Sequence, residues 1–389
     1  MNILFLAYFP FLASKGGIQR VTDVLTKEFI KKGHSVFFLC VNNSFISSAS
    51  IDQTSAPQYF INANSDNMIE LAEQLLLKHN IDFIINQTPN SFINLFLKKL
   101  ILKVKVKVIS VFHTQPFFND NLTRKQIWQT HTFNVKQLCF KYISYVVPAI
   151  QKNVFGYFEK KNILGALEVS DKVCFISDKF YNRVLKHLPD IPMNKMAAIN
   201  NPNTFEIDHD VNNKENIILW VGRVENGSKN TIDFVKAWHL ICKANSSWKA
   251  IIVGEGDDLE YIKQYIKKKH IQNIESLGHC KDVKPLYKRS KFVVVTSYSE
   301  SWCMVLTEGL INGCIPLAYN TFETVGDIIQ NNYNGYITDA NPIAMSQKLN
   351  EIMNDETTYE EVYSNTFESV RKFNVDNIVD SWIRLLSSL

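Results

Sequence analysis

Two acids with seven residues between them, Glu300 and Glu308, bracket the segment from Ser297 to Pro316. The apolar run Phe292 to Val295 before it reads as a buried strand, and a helix is predicted from about Cys303 to Asn312. Glu300 then stands on the loop, and Glu308 stands more than one turn inside the helix. In an open parallel sheet ligands bind beyond the carboxyl ends of the strands, where a helix start attracts phosphate. From the helix a carboxylate can accept two hydrogen bonds from a vicinal diol such as a ribose. The backbone N–H groups of Trp302, Cys303, Met304 and Val305 would meanwhile hold attached phosphates, and Glu300 would reach whatever lies beyond them. A nucleotide sugar fits this pattern; two solvated acids beside a helix are the plainer alternative.

Upstream, Ile217 to Val221 reads as another buried strand, delivering Gly222-Arg223 and then Lys229-Asn230 ahead of a helix. Two cations at the end of a buried strand are expensive unless an anion joins them, and Arg with Lys suits a diphosphate. Ile251-Ile252-Val253-Gly254-Glu255-Gly256 gives the next strand and glycine turn. Without a third glycine it is not a dinucleotide fingerprint. The turn Gly278-His279-Cys280 lies between strands at Ile274 to Leu277 and Phe292 to Val295.

The Glu300–Glu308 segment resembles the signature of glycosyltransferase family 4, retaining enzymes of the GT-B fold (glycosyl transferases group 1). Gly222-Arg223 with Lys229 resembles that family's Gly-Arg…Lys motif. The resemblance covers nearly the whole chain and is most specific between Val221 and Pro316. It implies an α/β chain of two Rossmann-like, doubly wound domains facing across a cleft. It further implies transfer, with retention, of a sugar from a UDP-linked donor to a saccharide or lipid-linked acceptor in cell-surface polysaccharide, lipopolysaccharide or glycolipid synthesis. No metal or other cofactor is implied. Arg223 and Lys229 would take the leaving diphosphate, Glu308 the ribose, and Glu300 with the backbone of 302–305 the sugar and phosphates. The turn at 278–280 would read the base edge. Ser301 and Cys303 flank Trp302 where the family commonly has glycines, which would narrow the donor-sugar pocket. A non-catalytic nucleotide-sugar-binding subunit and a GT-B epimerase are the alternatives; the intact Arg223, Lys229, Glu300 and Glu308 set favours catalysis.

The first half must supply the other domain. Ile3 to Tyr8 reads as a buried strand, followed by Gly16-Gly17, a helix carrying Val21, Leu25, Phe29 and Ile30, and a strand at Ser35 to Val41. Gly16 and Gly17 either let backbone N–H groups approach a ligand or form a plain tight turn; the resemblance puts them beside the acceptor and the departing diphosphate. Helices are predicted near Met68–His79 and Ser91–Leu100, and strands near Asp82–Ile85, Val106–Phe112, Lys172–Ile176 and Met196–Ile199. His113 follows a strand end, where a histidine is structural or faces a ligand; the resemblance implies contact with the transferred sugar. Domain limits are expected at 1–207, 208–215 (linker), 216–372 and 373–389, the last an amphipathic helix with Ile378, Val379, Trp382, Leu385 and Leu386 on one stripe, crossing back to the first domain. In the linker, Asp208, His209 and Asp210 read as solvated residues rather than metal ligands.

The chain has 389 residues, 46% apolar and 21% charged, with a net charge of +4 that calls for no nucleic acid. Seven cysteines without paired or metal-like spacing read as reduced thiols of a cytoplasmic protein. No apolar span is long enough to cross a bilayer. Lys98, Lys99, Lys103, Lys105 and Lys107 have no acid among them. They read as the wet face of a Lys-Val strand or as a basic patch for anionic lipid or a lipid-linked diphosphate, which would give peripheral contact with the cytoplasmic membrane face. The aromatic, basic stretch Phe133 to Phe158 reads as core, acceptor groove or membrane-facing edge.

Overall fold

The computed structural model describes residues 1–42, 54–118, 142, 146–206 and 214–389. They form two units, one built from Met1–Asn119, Asn153–Thr204 and Phe373–Leu389, the other chiefly from Phe205–Lys372. Each unit is a parallel sheet with helices packed on it.

In the first unit, β1 (Asn2–Ala7), β2 (Ser35–Asn42), β3 (Gln58–Asn62), β4 (Phe83–Asn86), β5 (Lys107–Phe112), β6 (Lys172–Phe175) and β7 (Met196–Ala198) lie in the order β3-β2-β1-β4-β5-β6-β7. Every pairing is parallel. Ile3 to Ala7 are fully buried, because a central strand of a parallel sheet is covered on both faces, and this is why it reads as an unbroken apolar run. The helix α1 (Gly17–Lys31) buries Val21, Leu25 and Phe29, four residues apart, and sets the Phe29 ring 6.4 Å from Phe5. Among the described residues, α2 (Met68–Lys78), α3 (Ser91–Leu100), α4 (Pro148–Val169) and α5 (Phe180–His187) follow.

The second sheet repeats the winding. Its strands β8 (Glu215–Val221), β9 (Lys249–Val253), β10 (Ile274–Gly278), β11 (Ser290–Val295), β12 (Ile315–Tyr319) and β13 (Tyr336–Thr338) lie in the order β10-β9-β8-β11-β12-β13, again all parallel. Around it stand α6 (Thr231–Ile241), α7 (Leu259–Lys268), α8 (Lys284–Arg289), α9 (Met304–Ile311), α10 (Val325–Ile328), α11 (Pro342–Met353) and α12 (Glu356–Val370). Both sheets thus reverse strand order beside their first strand, between β1 and β4 and between β8 and β11, and each has a crevice at that switch point. The doubly wound α/β expectation holds for both units.

The terminal helix α13 (Val375–Ser387) belongs to the first unit and buries Ile378, Val379, Trp382 and Leu386. Lys32, just past α1, pins it: Nζ lies 2.5 Å from Asp376 Oδ1 and 2.8 Å from Asp380 Oδ1. Those two acids are one helical turn apart, and their hydrogen bonds hold the Lys32 ammonium above its ordinary range.

Two expectations need correction. The Lys-Val alternation is not a strand: residues 101–104 form a turn and bend, and β5 begins only at Lys107, after α3 has spent its apolar face. The polar run ends earlier than a linker through 215 would, because Glu215 already opens β8, where Arg289 holds its carboxylate. Residues 208–213, with Asp208, His209 and Asp210, lie outside the described residues. So do residues 119–141 and 143–145, which hold much of the Phe133–Phe158 stretch and Cys139. No helix among the described residues is long and apolar enough to cross a membrane. Of the six cysteines described, Cys280 is partly exposed and the others are buried.

Candidate active site

The loops that follow β8, β9 and β10, on one side of the second switch point, are joined through backbone alone. Gly222 N, just past β8, donates to Val253 O at 3.0 Å, and Val224 N donates to Glu255 O at 2.9 Å. A Cβ on Gly254, whose φ is +139°, would lie 1.8 Å from Gly222 O, and one on Gly256 would lie 2.3 Å from Val224 O. Only glycine permits this approach. Gly254 N in turn donates to Gly278 O at 2.8 Å, tying in the turn after β10.

Lys229 is positioned by its neighbours. Asn230 takes a left-handed conformation (φ 53°) ahead of α6, held by its Nδ2 donating to Asp233 Oδ2 at 2.7 Å. Thr296, just past β11, donates to the carbonyls of Lys229 and Asn230 at 3.2 and 3.0 Å and accepts from Trp220 Nε1 at 3.1 Å. With its backbone fixed to the end of β11, Lys229 sets Nζ 2.6 Å from Glu300 Oε1. Ser297 Oγ donates to the same oxygen at 2.7 Å. Burial pushes the Lys229 ammonium down and the Glu300 carboxylate pushes it up; the pair wins, and Lys229 titrates above its ordinary value. It is a cation throughout the physiological range.

Arg223 differs. Its side chain is 73% exposed, with Glu225 Oε2 3.9 Å away, so the cost of burying a cation applies to Lys229 and not to Arg223.

Glu308 is 3% exposed. Its Oε2 accepts a hydrogen bond of 3.1 Å from the hydroxyl of Tyr287, itself fully buried. Burial and then the Glu308 carboxylate push the phenol far above its usual range, so Tyr287 remains a donor. Lys214 ties the supports together: Nζ donates to Tyr287 O at 2.9 Å and to Asn312 O at 2.6 Å, while Asn312 Nδ2 donates to Glu308 O at 2.8 Å. Burial lowers the Lys214 ammonium to about 8. The helix α9 sits close on β11, since a Cβ on Gly309 would meet Val293 Cγ1 at 2.5 Å. Cys303 stands at its N-cap; no side chain caps it and no acid occupies its first turn. A helix end of this kind favours an anion. Trp302 and Cys303 are both buried, and burial, then Glu300, push the Cys303 thiol well up, keeping it protonated.

The first unit presents neutral groups instead. His113, next after β5, binds Gln87 Oε1 through Nε2, while its Nδ1 is buried with no protein partner. Burial lowers the imidazole to about 4, so His113 is neutral near pH 7. Donation from Nε2 to an amide oxygen then leaves Nδ1 as an acceptor. Behind it a polar chain crosses the sheet: Asn86 Nδ2 donates to Ser110 Oγ at 3.0 Å, which meets Ser170 Oγ at 2.8 Å. Gly16 is extended (φ 171°) and Gly17 begins α1. A Cβ at Gly16 would meet only the flexible end of Gln19, so no strained turn demands glycine there.

The structure therefore joins Lys229 to Glu300, sets Glu308 within the helix that follows, and places His113 with Gln87 in the other unit. Sequence reading missed Tyr287, Asp233, Thr296, Ser297 and Lys214. A signal existed for one of them: Tyr287 sits among Lys, Pro and Arg, and a buried phenol needs a partner.

Two sheets of this winding, with an ammonium–carboxylate pair and a helix start at one switch point, define a protein of the GT-B class. The chain is matched by two family models over consecutive parts: glycosyl transferases group 1 over residues 203–369, and Glycosyltransferase Family 4 over residues 15–202. Among curated relatives it is 28% identical over 228 residues to the GalNAc-alpha-(1->4)-GalNAc-alpha-(1->3)-diNAcBac-PP-undecaprenol alpha-1,4-N-acetyl-D-galactosaminyltransferase of Campylobacter jejuni, covering 58% of this chain and 60% of that one. It is 27% identical over 163 residues to the poly(glycerol-phosphate) alpha-glucosyltransferase of Bacillus subtilis, covering 41% and 24%. The matches thus span less than two thirds of either relative. In fold the chain is similar to Anabaena HepE in complex with UDP, with a TM-score of 0.74 at 15% identity over the whole of both chains. It is also similar to TarM, with a TM-score of 0.73 at 13% identity over 99% of this chain and 98% of that one.

Proposed function

We propose that this protein is a retaining glycosyltransferase that moves a sugar from a UDP-linked donor to a saccharide or lipid-linked acceptor, in the cytoplasm, during cell-surface polysaccharide or glycolipid synthesis. The observation that carries the reading is the second switch point, where a fixed Lys229–Glu300 pair stands beside a helix holding a buried, tyrosine-bound Glu308. The relatives' names support the reaction class, and one of them names a PP-undecaprenol acceptor.

In this reading Glu308, oriented by Tyr287, takes the ribose hydroxyls. Lys229, Arg223 and the start of α9 take the diphosphate. As the bond from the anomeric carbon to phosphate oxygen breaks, negative charge grows on the diphosphate beside cations already in place, and these stabilise the transition state more than the bound donor. The acceptor hydroxyl forms the new bond to the anomeric carbon and passes its proton to the departing phosphate oxygen, which has gained the negative charge. Glu300 contacts the sugar, and His113 of the first unit is an uncharged acceptor suited to a hydroxyl group. With two side-chain cations on the leaving group, no metal is required.

The test is a panel of nucleotide sugars with saccharide and polyprenyl-diphosphate acceptors, read by mass spectrometry and by the anomeric configuration of the product. Transfer with retention, surviving EDTA, is expected. Nucleotide binding without transfer would make the chain a binding subunit, and conversion of the donor sugar without acceptor would make it an epimerase.

A further inference from the structure

The first unit carries a surface that the donor chemistry does not use. From Ala149 to Asn162 no described side chain of α4 is buried, whereas Ile163, Ala166, Leu167 and Val169 pack into the protein. The projecting part is nevertheless apolar: Val154 is 38% exposed, Phe155 43%, Tyr157 65% and Phe158 55%, and Leu164 continues the stripe at 46%. At helical spacing Val154, Tyr157, Lys161 and Leu164 share one face. That face borders a groove of about 700 Å³ between α3 and α4, lined by Leu95, Lys98, Tyr157, Lys160, Lys161 and Leu164. The two helices are fixed where they touch: Asn94 Nδ2 donates to Asn162 O at 3.0 Å, and a Cβ on Gly165 would come within 2.9 Å of that same nitrogen.

Charge decides what fits. Lys98 is paired with Glu168, and Lys103 has Glu70 and Glu73 within 3.7 Å. Lys99, Lys160 and Lys161 have no acid partner among the described residues. Exposed apolar and aromatic side chains edged by uncompensated lysines match the boundary of an anionic bilayer, where rings enter the headgroup layer and ammonium groups meet lipid phosphates. A second copy of the chain meeting this face by a two-fold axis would set lysines against lysines.

We propose that this face of α3 and α4 docks the protein on an anionic lipid bilayer, with Tyr157 and Leu164 entering the interface and Lys160 and Lys161 binding lipid phosphates. The surface acts independently of the donor site, so it stands whether or not the proposed transfer is correct.

The test is co-sedimentation of the purified full chain with phosphatidylcholine vesicles, with and without phosphatidylglycerol, across a salt series. Binding is expected to the phosphatidylglycerol vesicles only and to weaken as salt rises. Lys160→Glu with Lys161→Glu should lower it about tenfold or more, while Lys160→Arg with Lys161→Arg should retain it. Tyr157→Ser with Leu164→Ser should lower the binding that persists at high salt. All these positions are exposed, so melting temperature and nucleotide binding should not change. Equal binding to both vesicle types, binding to neither, or a dimer in sedimentation that the same substitutions dissociate would overturn the proposal.

Discussion

The two sheets share one winding and differ in charge at their switch points. In the second unit the crevice holds Lys229, Glu300 and Glu308, each fixed by a buried donor or acceptor. In the first, Gln87, Asn86, Thr88 and an uncharged His113 occupy the equivalent strand ends. Winding creates a crevice twice, and the residues placed in it make one crevice charged and the other neutral. This also explains how differently the two respond to burial: in the charged crevice a partner raises Lys229 despite burial, while in the neutral one burial alone lowers His113.

Removing the charge should break that contrast first and most strongly. Lys229→Ala is expected to lower turnover about 10²- to 10³-fold, the scale of losing one preorganised electrostatic donor. It should also destabilise the protein, because Glu300 would stay 10% exposed without its partner. Arg223→Ala should lower turnover while leaving the melting temperature unchanged, since that side chain is solvated. Steady-state kinetics beside thermal melts checks both; parental turnover in each variant would remove the cations from the reaction.

Glu308→Gln should come next, weakening UDP binding by about 1.5–3 kcal/mol through loss of a charged acceptor. Tyr287→Phe, which keeps the ring and deletes only the donor, should weaken it by about 0.5–1.5 kcal/mol. Titration calorimetry on the two variants separates binding by the acid from its orientation by the phenol. Equal affinity in all three proteins would take the ribose away from Glu308.

A pH titration sharpens the neutral side. His113 binds its proton less well in the folded protein, near pH 4, than in the unfolded chain, near pH 6.5. Its contribution to stability is therefore present above pH 6.5 and is lost as the pH falls from there toward 4. His113→Asn should flatten part of that acid-side loss in urea midpoints measured across the window, with UDP affinity unchanged. A midpoint profile that matches the parent would mean the imidazole is not held neutral by burial.

Much of this was legible because covered parallel strands announce themselves. Ile3–Ala7, Ile217–Val221 and Phe292–Val295 are apolar runs bounded by turn residues, and the loops they deliver carry Arg223, Lys229 and Glu300. Two edge strands were not legible, although the other edges, β7 and β10, were: Gln58–Asn62 and Tyr336–Thr338 are short and mixed in polarity, and the buried Gln58 side chain accepts from Phe11 N at 2.7 Å. The supports of Glu308 were hidden for a different reason. Tyr287 lies 21 residues from it in sequence, and Lys214 looks like the end of a solvated run until the fold brings two carbonyls onto its ammonium. Such pairings follow from strand order, which no local pattern encodes.

The close approach of Gly254 to Gly222, and of Gly256 to Val224, bears on how such a chain can diverge. Where main chain rests on main chain, no side chain exists to be exchanged, and any larger residue evicts the neighbouring loop. Innovation in what the second unit accepts is thereby channelled toward the surrounding walls, around Arg223 and the 297–303 segment, while this foundation stays off limits to mutation. A saturation library over residues 220–260 should show the asymmetry as near-complete intolerance at Gly254 and Gly256 beside wide latitude at Arg223 for folding.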